Sequence, residues 1–145
     1  MKKSLLAGGL SAALILGCAG ATWADDAASQ SQLERRQADA APGLRRAVAD
    51  AAGYQLTDID ARVSAHVVTI TVVNGRLNTA RNNERKDEAS VISAAVARAI
   101  AAKPEFSDIM MIHVDYVKRQ GNHDDVIQGF DFNKNPAGGF SAHVT

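Results

Sequence analysis

The segment NNERKDEASVISAAVARAIAAKP, residues Asn82 to Pro104, has the clearest helical period in the chain. Its apolar residues fall on one stripe of a 3.6-residue repeat, and they are Ala89, Ile92, Val96, Ala99 and Ile100. Asparagines at the start, acidic residues in the first turns and proline at the end are typical of helix boundaries. The segment therefore predicts one amphipathic helix that packs its apolar stripe against another layer.

Strand-forming segments flank this predicted helix on both sides. RVSAHVVTITVVN, from Arg62 to Asn74, is rich in β-branched residues and predicts a central strand. IMMIHVDYVK, from Ile109 to Lys118, predicts a second strand, and Val126 to Phe132 predicts a third that pairs with the second as a hairpin. The residues of these last two strands predicted to face the core are Met110, Ile112, Val114, Tyr116, Val126, Phe130 and Phe132.

The segments at the two ends of this region are less regular. From Asp25 to Ala41 the chain is polar and alanine-rich, which predicts a solvated tether. Pro42 suits the first turn of a helix and Gly53 suits its end, so we predict a short helix between them. The tail after Phe132 alternates weakly, at Phe140, Ala142 and Val144, and leaves open either a short edge strand or a loose end.

The order of these elements is helix, strand, helix, strand, strand. A strand, helix, strand run normally makes a right-handed crossover between parallel strands, and the hairpin adds an antiparallel neighbour. We therefore predict a small two-layer α+β sandwich, with a mixed three-stranded sheet and both helices on one face. The predicted boundaries are an export signal at 1–24, a polar tether at 25–41 and a single globular domain at 42–145.

The N-terminus has the pattern of an export signal. Lys2 and Lys3 precede an apolar run from Leu5 to Leu16, and small residues follow it up to Asp25. The run has 12 residues, whereas a helix that spans a bilayer needs about 20. We therefore expect an exported protein that is periplasmic, or anchored to a membrane and facing the periplasm, with secretion from the cell as an alternative.

Two processing outcomes remain open. Ile15-Leu16-Gly17-Cys18 resembles the lipobox of bacterial lipoproteins, in which the cysteine is lipidated and becomes the new N-terminus. The small residues of Ala19-Gly20-Ala21 and Thr22-Trp23-Ala24 instead fit ordinary signal-peptidase cleavage. Since Cys18 is the only cysteine, neither outcome allows an internal disulfide in the mature protein.

Composition argues against a nucleic-acid partner. The chain of 145 residues has 16 basic and 16 acidic residues, and removal of Lys2 and Lys3 leaves 14 basic against 16 acidic. Nucleic-acid-binding domains are more usually basic, and aromatic residues for base stacking make up only 5% of this chain. We expect contact with the membrane only through a lipid on Cys18.

The search for catalytic motifs finds one candidate cluster. The sequence has no glycine-rich phosphate loop, no GxSxG, no HExxH and no paired-cysteine motif, and we predict no cofactor. His113 and Asp115 share a face of one strand, and His123 lies in the turn that follows. Imidazole and carboxylate can ligate a metal or act as base and orienting group. Ordinary solvated residues on an open sheet are the simpler interpretation.

A second candidate site lies where the two parallel strands end. Loops that follow parallel strands emerge at one edge of a sheet, beside the start of the connecting helix, where open sheets bind ligands. The residues that we predict at this edge are Asn74, Arg76, Asn78, Lys118 and Arg119. Such a basic edge could dock an acidic group of an unknown envelope protein, a glycan or a lipid headgroup.

These observations support three functional hypotheses. The first is a non-enzymatic binding or assembly module of the bacterial cell envelope, either periplasmic or lipid-anchored. The second is a periplasmic metal-binding protein or hydrolase that uses His113, Asp115 and His123. The third is a secreted factor that acts outside the cell. We favour the first, because no complete catalytic motif accompanies the export signal.

Overall fold

A computed structural model describes the backbone of residues 21–101 and 103–142 and the side chains of residues 27–101 and 103–142. Two helices and five strands follow in the order α1 (Ala21–Ala52), β1 (Ile59–Ser64), β2 (Val67–Val73), α2 (Asn82–Ala101), β3 (Met111–Gln120), β4 (His123–Lys134) and β5 (Phe140–Ala142). Single 3-10 turns occupy Leu56–Asp58, Arg76–Thr79 and Pro104–Phe106. The predicted α+β class is confirmed.

The strands form one mixed sheet of five strands in the order β1-β2-β3-β4-β5. Only β2 and β3 are parallel, and α2 connects them, as the sequence predicts. The hairpin of β3 and β4 is also confirmed. The prediction of three strands is wrong, because β1 and β5 extend the sheet on either side.

β1 was missed because its turn carries no turn-forming residue. The segment 62–74, predicted as one strand, contains the end of β1, a turn at Ala65 and His66, and β2. Ala65 adopts a positive φ of 50°, which glycine or asparagine usually supplies. Ser64 pairs with Val67 directly across this turn. A continuous β-branched run thus conceals a hairpin.

The core face predicted for β4 is wrong at Val126, because a β-bulge shifts the register of the strand. Tyr116 pairs with Gln128, but the next residue of β3, Val117, pairs with Val126, which leaves Ile127 as the extra residue. Val126 therefore points to the outer face and is 64% exposed, whereas Phe132 on the near side of the bulge is buried as predicted. At the start of β3, Met110 is exposed, against the prediction, because it precedes the strand.

α1 begins at Ala21 and contains Pro42 in its interior, so the prediction that a helix starts at Pro42 is wrong. Proline removes one helical hydrogen bond, but contacts on its N-terminal side hold the helix together. Gln37 is buried and donates from Nε2 to the backbone oxygen of Glu105 at 2.8 Å, and Ala40 packs against the core. The segment 25–41 is thus helical, and its role as a tether stays a prediction.

Both helices pack on one face of the sheet and share one core. Ile92 and Val96 of α2 are fully buried, as the amphipathic pattern predicts, and they join Leu44 and Val48 of α1. The core-facing strand residues are Ile59, Val68, Ile70, Val72, Ile112, Val114, Tyr116 and Phe132. Within the described residues, neither helix has an apolar stretch able to cross a membrane. The opposite face of the sheet carries no helix from this part of the chain.

β5 makes the tail a short edge strand. Its three residues pair with Phe132, Asn133 and Lys134 of β4. Phe140 and Ala142 are half-buried on the core side, which fits the weak alternation of the tail. The predicted continuation to Val144 lies outside the described residues.

Candidate functional site

The loops after β2 and β3 meet at one edge, as the sequence predicts, and asparagine side chains join them. Asn74 Oδ1 accepts a hydrogen bond from the backbone N–H of Arg119 at 2.9 Å. Asn78 Nδ2 donates to the backbone oxygen of Val117, also at 2.9 Å. These side-chain amides form hydrogen bonds with backbone groups at the end of β3, so they hold the two loops together.

Arg76, the second predicted residue of this edge, reaches into the domain. Its Nη2 lies 2.6 Å from Oε2 of Glu88, and its Nη1 donates to the backbone oxygen of Ala52 at 3.0 Å. Its guanidinium also lies over the ring of Tyr54, 4.8 Å from the centroid. Arg76 therefore joins the end of α1 to α2 and is not a free charge on the edge.

Glu88 is the centre of a polar cluster that sequence reasoning missed. Its buried carboxylate accepts hydrogen bonds from Arg76, from the hydroxyl of Tyr54 at 2.7 Å and from the hydroxyl of Tyr116 at 3.2 Å. Burial, with the Glu88 carboxylate beside them, raises the pKa of both tyrosines, so both phenols remain donors. The sequence signal was only an acidic residue near a helix start, which is ordinary on a solvated face.

Arg119 belongs to a second charged cluster, on the outer face of the sheet. Its Nε and Nη2 donate to the two carboxylate oxygens of Asp124 at 2.7 and 2.8 Å, and Nη2 also lies 3.1 Å from Oδ2 of Asp60 on β1. The Arg119 guanidinium holds the pKa of Asp124 below its usual range. Lys118 is exposed and forms no ion pair with any described residue. The edge as a ligand site stays a prediction.

His113 lies between two carboxylates on the outer face. Its Nε2 is 2.8 Å from Oδ1 of Asp115, and its Nδ1 is 2.5 Å from Oδ1 of Asp131, the residue directly opposite on β4. Gly129 pairs with Asp115, and a Cβ at this position would lie 2.8 Å from that carboxylate. The glycine thus leaves the space that the histidine and aspartate fill. Sequence reasoning found His113 and Asp115 but missed Asp131.

The structure does not bring His123 to His113. His123 lies at the tip of the hairpin and bonds to Asp125 at 2.9 Å. Along β4 it is about 25 Å from Asp131, the residue opposite His113. The two ring nitrogens of His113 point to different carboxylates, so Asp115 and Asp131 do not converge with it on one point. Within the described residues, no group of three or more His, Cys, Asp or Glu residues is arranged to hold a metal ion.

Known proteins give no assignment for these clusters. No family model, curated protein or solved structure matches the chain. The described residues form polar clusters whose members bond to one another, and one surface on which two neighbouring apolar side chains, Val126 and Ile127, are exposed.

This surface is the far end of the hairpin of β3 and β4. β2 accompanies β3 only as far as Val117, so the residues from Lys118 to Asp125 extend past β2, and their strand pairing is with each other. Arg119 alone among them bonds back to described residues of the sheet and its loops, Asp60 and Asn74. Val126 is 64% and Ile127 is 37% exposed at the base of this projection. Two adjacent β-branched side chains at the base and an unpaired lysine on the projection thus belong to one hairpin.

A cleft lies at the other end of the sheet, where α2 ends. It has a volume of about 430 Å³ and is lined in part by Ile100, Phe106 and Phe140. Lys103 and Lys134 also line it, but Lys134 donates to the backbone oxygen of Ser107 at 3.0 Å and the Lys103 ammonium lies over the Phe106 ring. The ammonium groups of both lysines therefore already contact other residues of the cleft wall.

Proposed function

We propose that this chain is a non-enzymatic binding or assembly module of the bacterial cell envelope, either periplasmic or lipid-anchored. The export part of this proposal rests on the N-terminal sequence, from the two lysines to Cys18, which lies outside the described residues. The binding part rests on one observation: the hairpin of β3 and β4 projects from the sheet and has two exposed apolar side chains at its base.

The projecting hairpin has the properties of a protein contact surface. Exposed apolar residues that lie next to each other are favoured contact points, whereas isolated ones are common on any surface. Val126 and Ile127 supply apolar area, and the ammonium of Lys118, on the other strand of the same hairpin, favours an acidic group on the partner. We propose that the partner is an envelope protein. A glycan or a lipid headgroup would use the lysine and leave the apolar pair uncovered.

Site-specific photo-cross-linking in intact cells tests this proposal. A benzophenone amino acid replaces Val126 in one strain and Val91 in another. Val91 is 48% exposed on α2, which makes it a matched control on the helical layer. We expect a protein adduct from position 126 and none from position 91. Lys118→Glu in the same strain should lower the yield of that adduct.

Two outcomes would contradict the proposal. Equal adducts at positions 91 and 126 would mean that cross-linking reports only random encounters. No protein adduct at position 126, with a lipid or glycan adduct in its place, would remove the envelope protein as partner.

A further inference from the structure

β1 is an edge strand whose outer side has no partner strand within the described residues. Ser64 and Val67 flank a two-residue turn and form a hydrogen-bonded pair, so Arg62 and Asp60 also direct their backbone groups to β2. The alternate residues must turn their N–H and C=O groups outward. Arg45 confirms this direction, since its Nε donates to the backbone oxygen of Ile59 from outside the sheet at 2.7 Å.

The outward-facing residues form a short template for another strand. They are Ile59, Ala61 and Val63, and they lie along an edge of regular pairing without a bulge. Among the described residues, the Ile59 oxygen is the one outward group with a partner, Arg45, which must release it when a strand is added. The opposite edge of the sheet is different, because β5 has three residues and the neighbouring part of β4 contains the bulge at Ile127. Bulges and short edge strands hinder strand addition. β1 is therefore the more receptive edge.

The sequence of β1 is complementary to itself in the antiparallel direction. It reads Ile59-Asp60-Ala61-Arg62-Val63. A two-fold axis at Ala61 places Asp60 of each copy opposite Arg62 of the other, and Ile59 opposite Val63. Opposite charges directly across an antiparallel pair are stabilising. Ile59 is already fully buried in its own core, so the charged pairs favour this register more than the apolar ones. About the same axis, Ala61 of one copy forms a hydrogen-bonded pair with Ala61 of the other copy.

The charges needed for this pairing are available. Arg62 is exposed and forms no ion pair with a described residue, although Asp124 lies near enough to feel its charge. Asp60 is 39% exposed and uses Oδ2 for Arg119, which leaves Oδ1 free. Leu56, also exposed, lies just before β1 and adds apolar area at the rim.

The geometry points to a symmetric dimer of this chain, in which the β1 edges of two copies pair antiparallel about Ala61. The two five-stranded sheets then join into one of ten strands. Isologous contacts of this kind bury the same surface on both copies and close after two subunits. Val126 and Ile127 belong to β4, which does not pair with β1, so they stay available to a different partner.

Charge-swap variants test both the dimer and its register. Sedimentation equilibrium of the purified exported protein should give a dimer. Asp60→Arg alone and Arg62→Asp alone each put like charges opposite each other, so each should dimerise about tenfold more weakly or worse. A mixture of the two variants restores both opposite-charge pairs and should form a heterodimer. Lys86→Asp, on an exposed position of α2, makes the same charge change elsewhere and should leave the dimer intact.

A backbone variant tests the strand pairing itself. Ala61→Pro removes an N–H that the ladder with β2 does not use, so the fold should persist by circular dichroism while the dimer is lost. A monomeric parent at all concentrations would overturn the inference. Dimers that survive Ala61→Pro, or single charge variants that fail to combine on mixing, would equally overturn it, because another surface would then join the copies.

Discussion

His113 on β3 lies directly opposite Asp131 on β4, with Nδ1 2.5 Å from the Asp131 Oδ1 atom. Asp115 bonds to the other ring nitrogen at 2.8 Å. A neutral imidazole has a single N–H, so both bonds form only when the ring is protonated. Partial burial lowers the pKa of His113, but the hydrogen bonds to Asp131 and Asp115 outweigh it and raise the pKa overall.

This pairing predicts that the domain loses stability as the pH rises. The folded-state pKa of His113 is above its unfolded value of about 6.5, so its stabilisation is complete below about pH 6.5 and is lost as the pH rises through the folded pKa. Urea unfolding across this range should show the decline in the parent and not in His113→Gln. His123→Gln, at the exposed hairpin tip, is the control. A decline that persists in His113→Gln would assign it to another group.

Gly129 should be required for the same cluster. A methyl group at this position would lie 2.8 Å from the Asp115 carboxylate and 3.0 Å from Cε1 of His113, so both side chains must move. We expect Gly129→Ala to cost about 1–2 kcal/mol of unfolding free energy and to weaken the pH dependence. Gly43→Ala, inside α1, puts a methyl group at an ordinary contact distance of 3.9 Å from the Lys103 ammonium and should instead stabilise by about 0.5–1 kcal/mol. Equal effects of the two variants would contradict the packing at Gly129.

The apolar stripe of α2 should be essential to the fold. Ile92 is fully buried, whereas its neighbour Val91 is 48% exposed. Ile92→Asp places an unpaired charge in the core and should cost several kcal/mol, out of a total stability of about 5–15 kcal/mol for a domain. Val91→Asp makes the same kind of change on the solvated side and should alter the urea midpoint little. A stable Ile92→Asp would mean that α2 packs by another face.

The sequence predicts elements whose pattern is local and continuous. The stripe of Ile92 and Val96 predicts α2 because one period extends over its whole length, and the parallel strands follow from its position between two β-branched runs. The turn at Ala65 and the bulge at Ile127 depend on backbone conformations that other residue types usually mark. Local pattern therefore could not reveal them.

The sequence predicts where the edge formed by the two loops lies, but not which partners its charged side chains have. The crossover correctly brings Asn74 and Arg119 to one edge, although they are separated by 45 residues. The partners of the charged residues come from distant elements: Glu88 for Arg76, and Asp60 for Arg119. A charge pattern along the chain cannot show which side chains neutralise each other after folding.

Processing of the N-terminus should give one of two defined products. Mass spectrometry of the mature protein should find either an acylated N-terminus at Cys18 or an unmodified one at Thr22 or Asp25, since the sequence offers these sites. In the first outcome Cys18→Ser should release the protein from the membrane fraction, and in the second it should change nothing. An N-terminus still at Met1 would contradict the export prediction itself.

The Glu88 cluster should contribute more to stability than any surface charge of α2. Glu88→Ala removes the acceptor that Arg76 and the hydroxyls of Tyr54 and Tyr116 share. Tyr116 keeps the backbone oxygen of Arg85 at 3.1 Å and Arg76 keeps that of Ala52, so the loss falls mainly on Tyr54 and should cost about 1–3 kcal/mol. Glu84→Ala removes an exposed carboxylate one turn earlier on the same helix and should change the unfolding free energy by less than about 0.5 kcal/mol. Urea denaturation of both variants measures the difference. If the two variants were equally stable, the carboxylate of Glu88 would not link α1, α2 and β3.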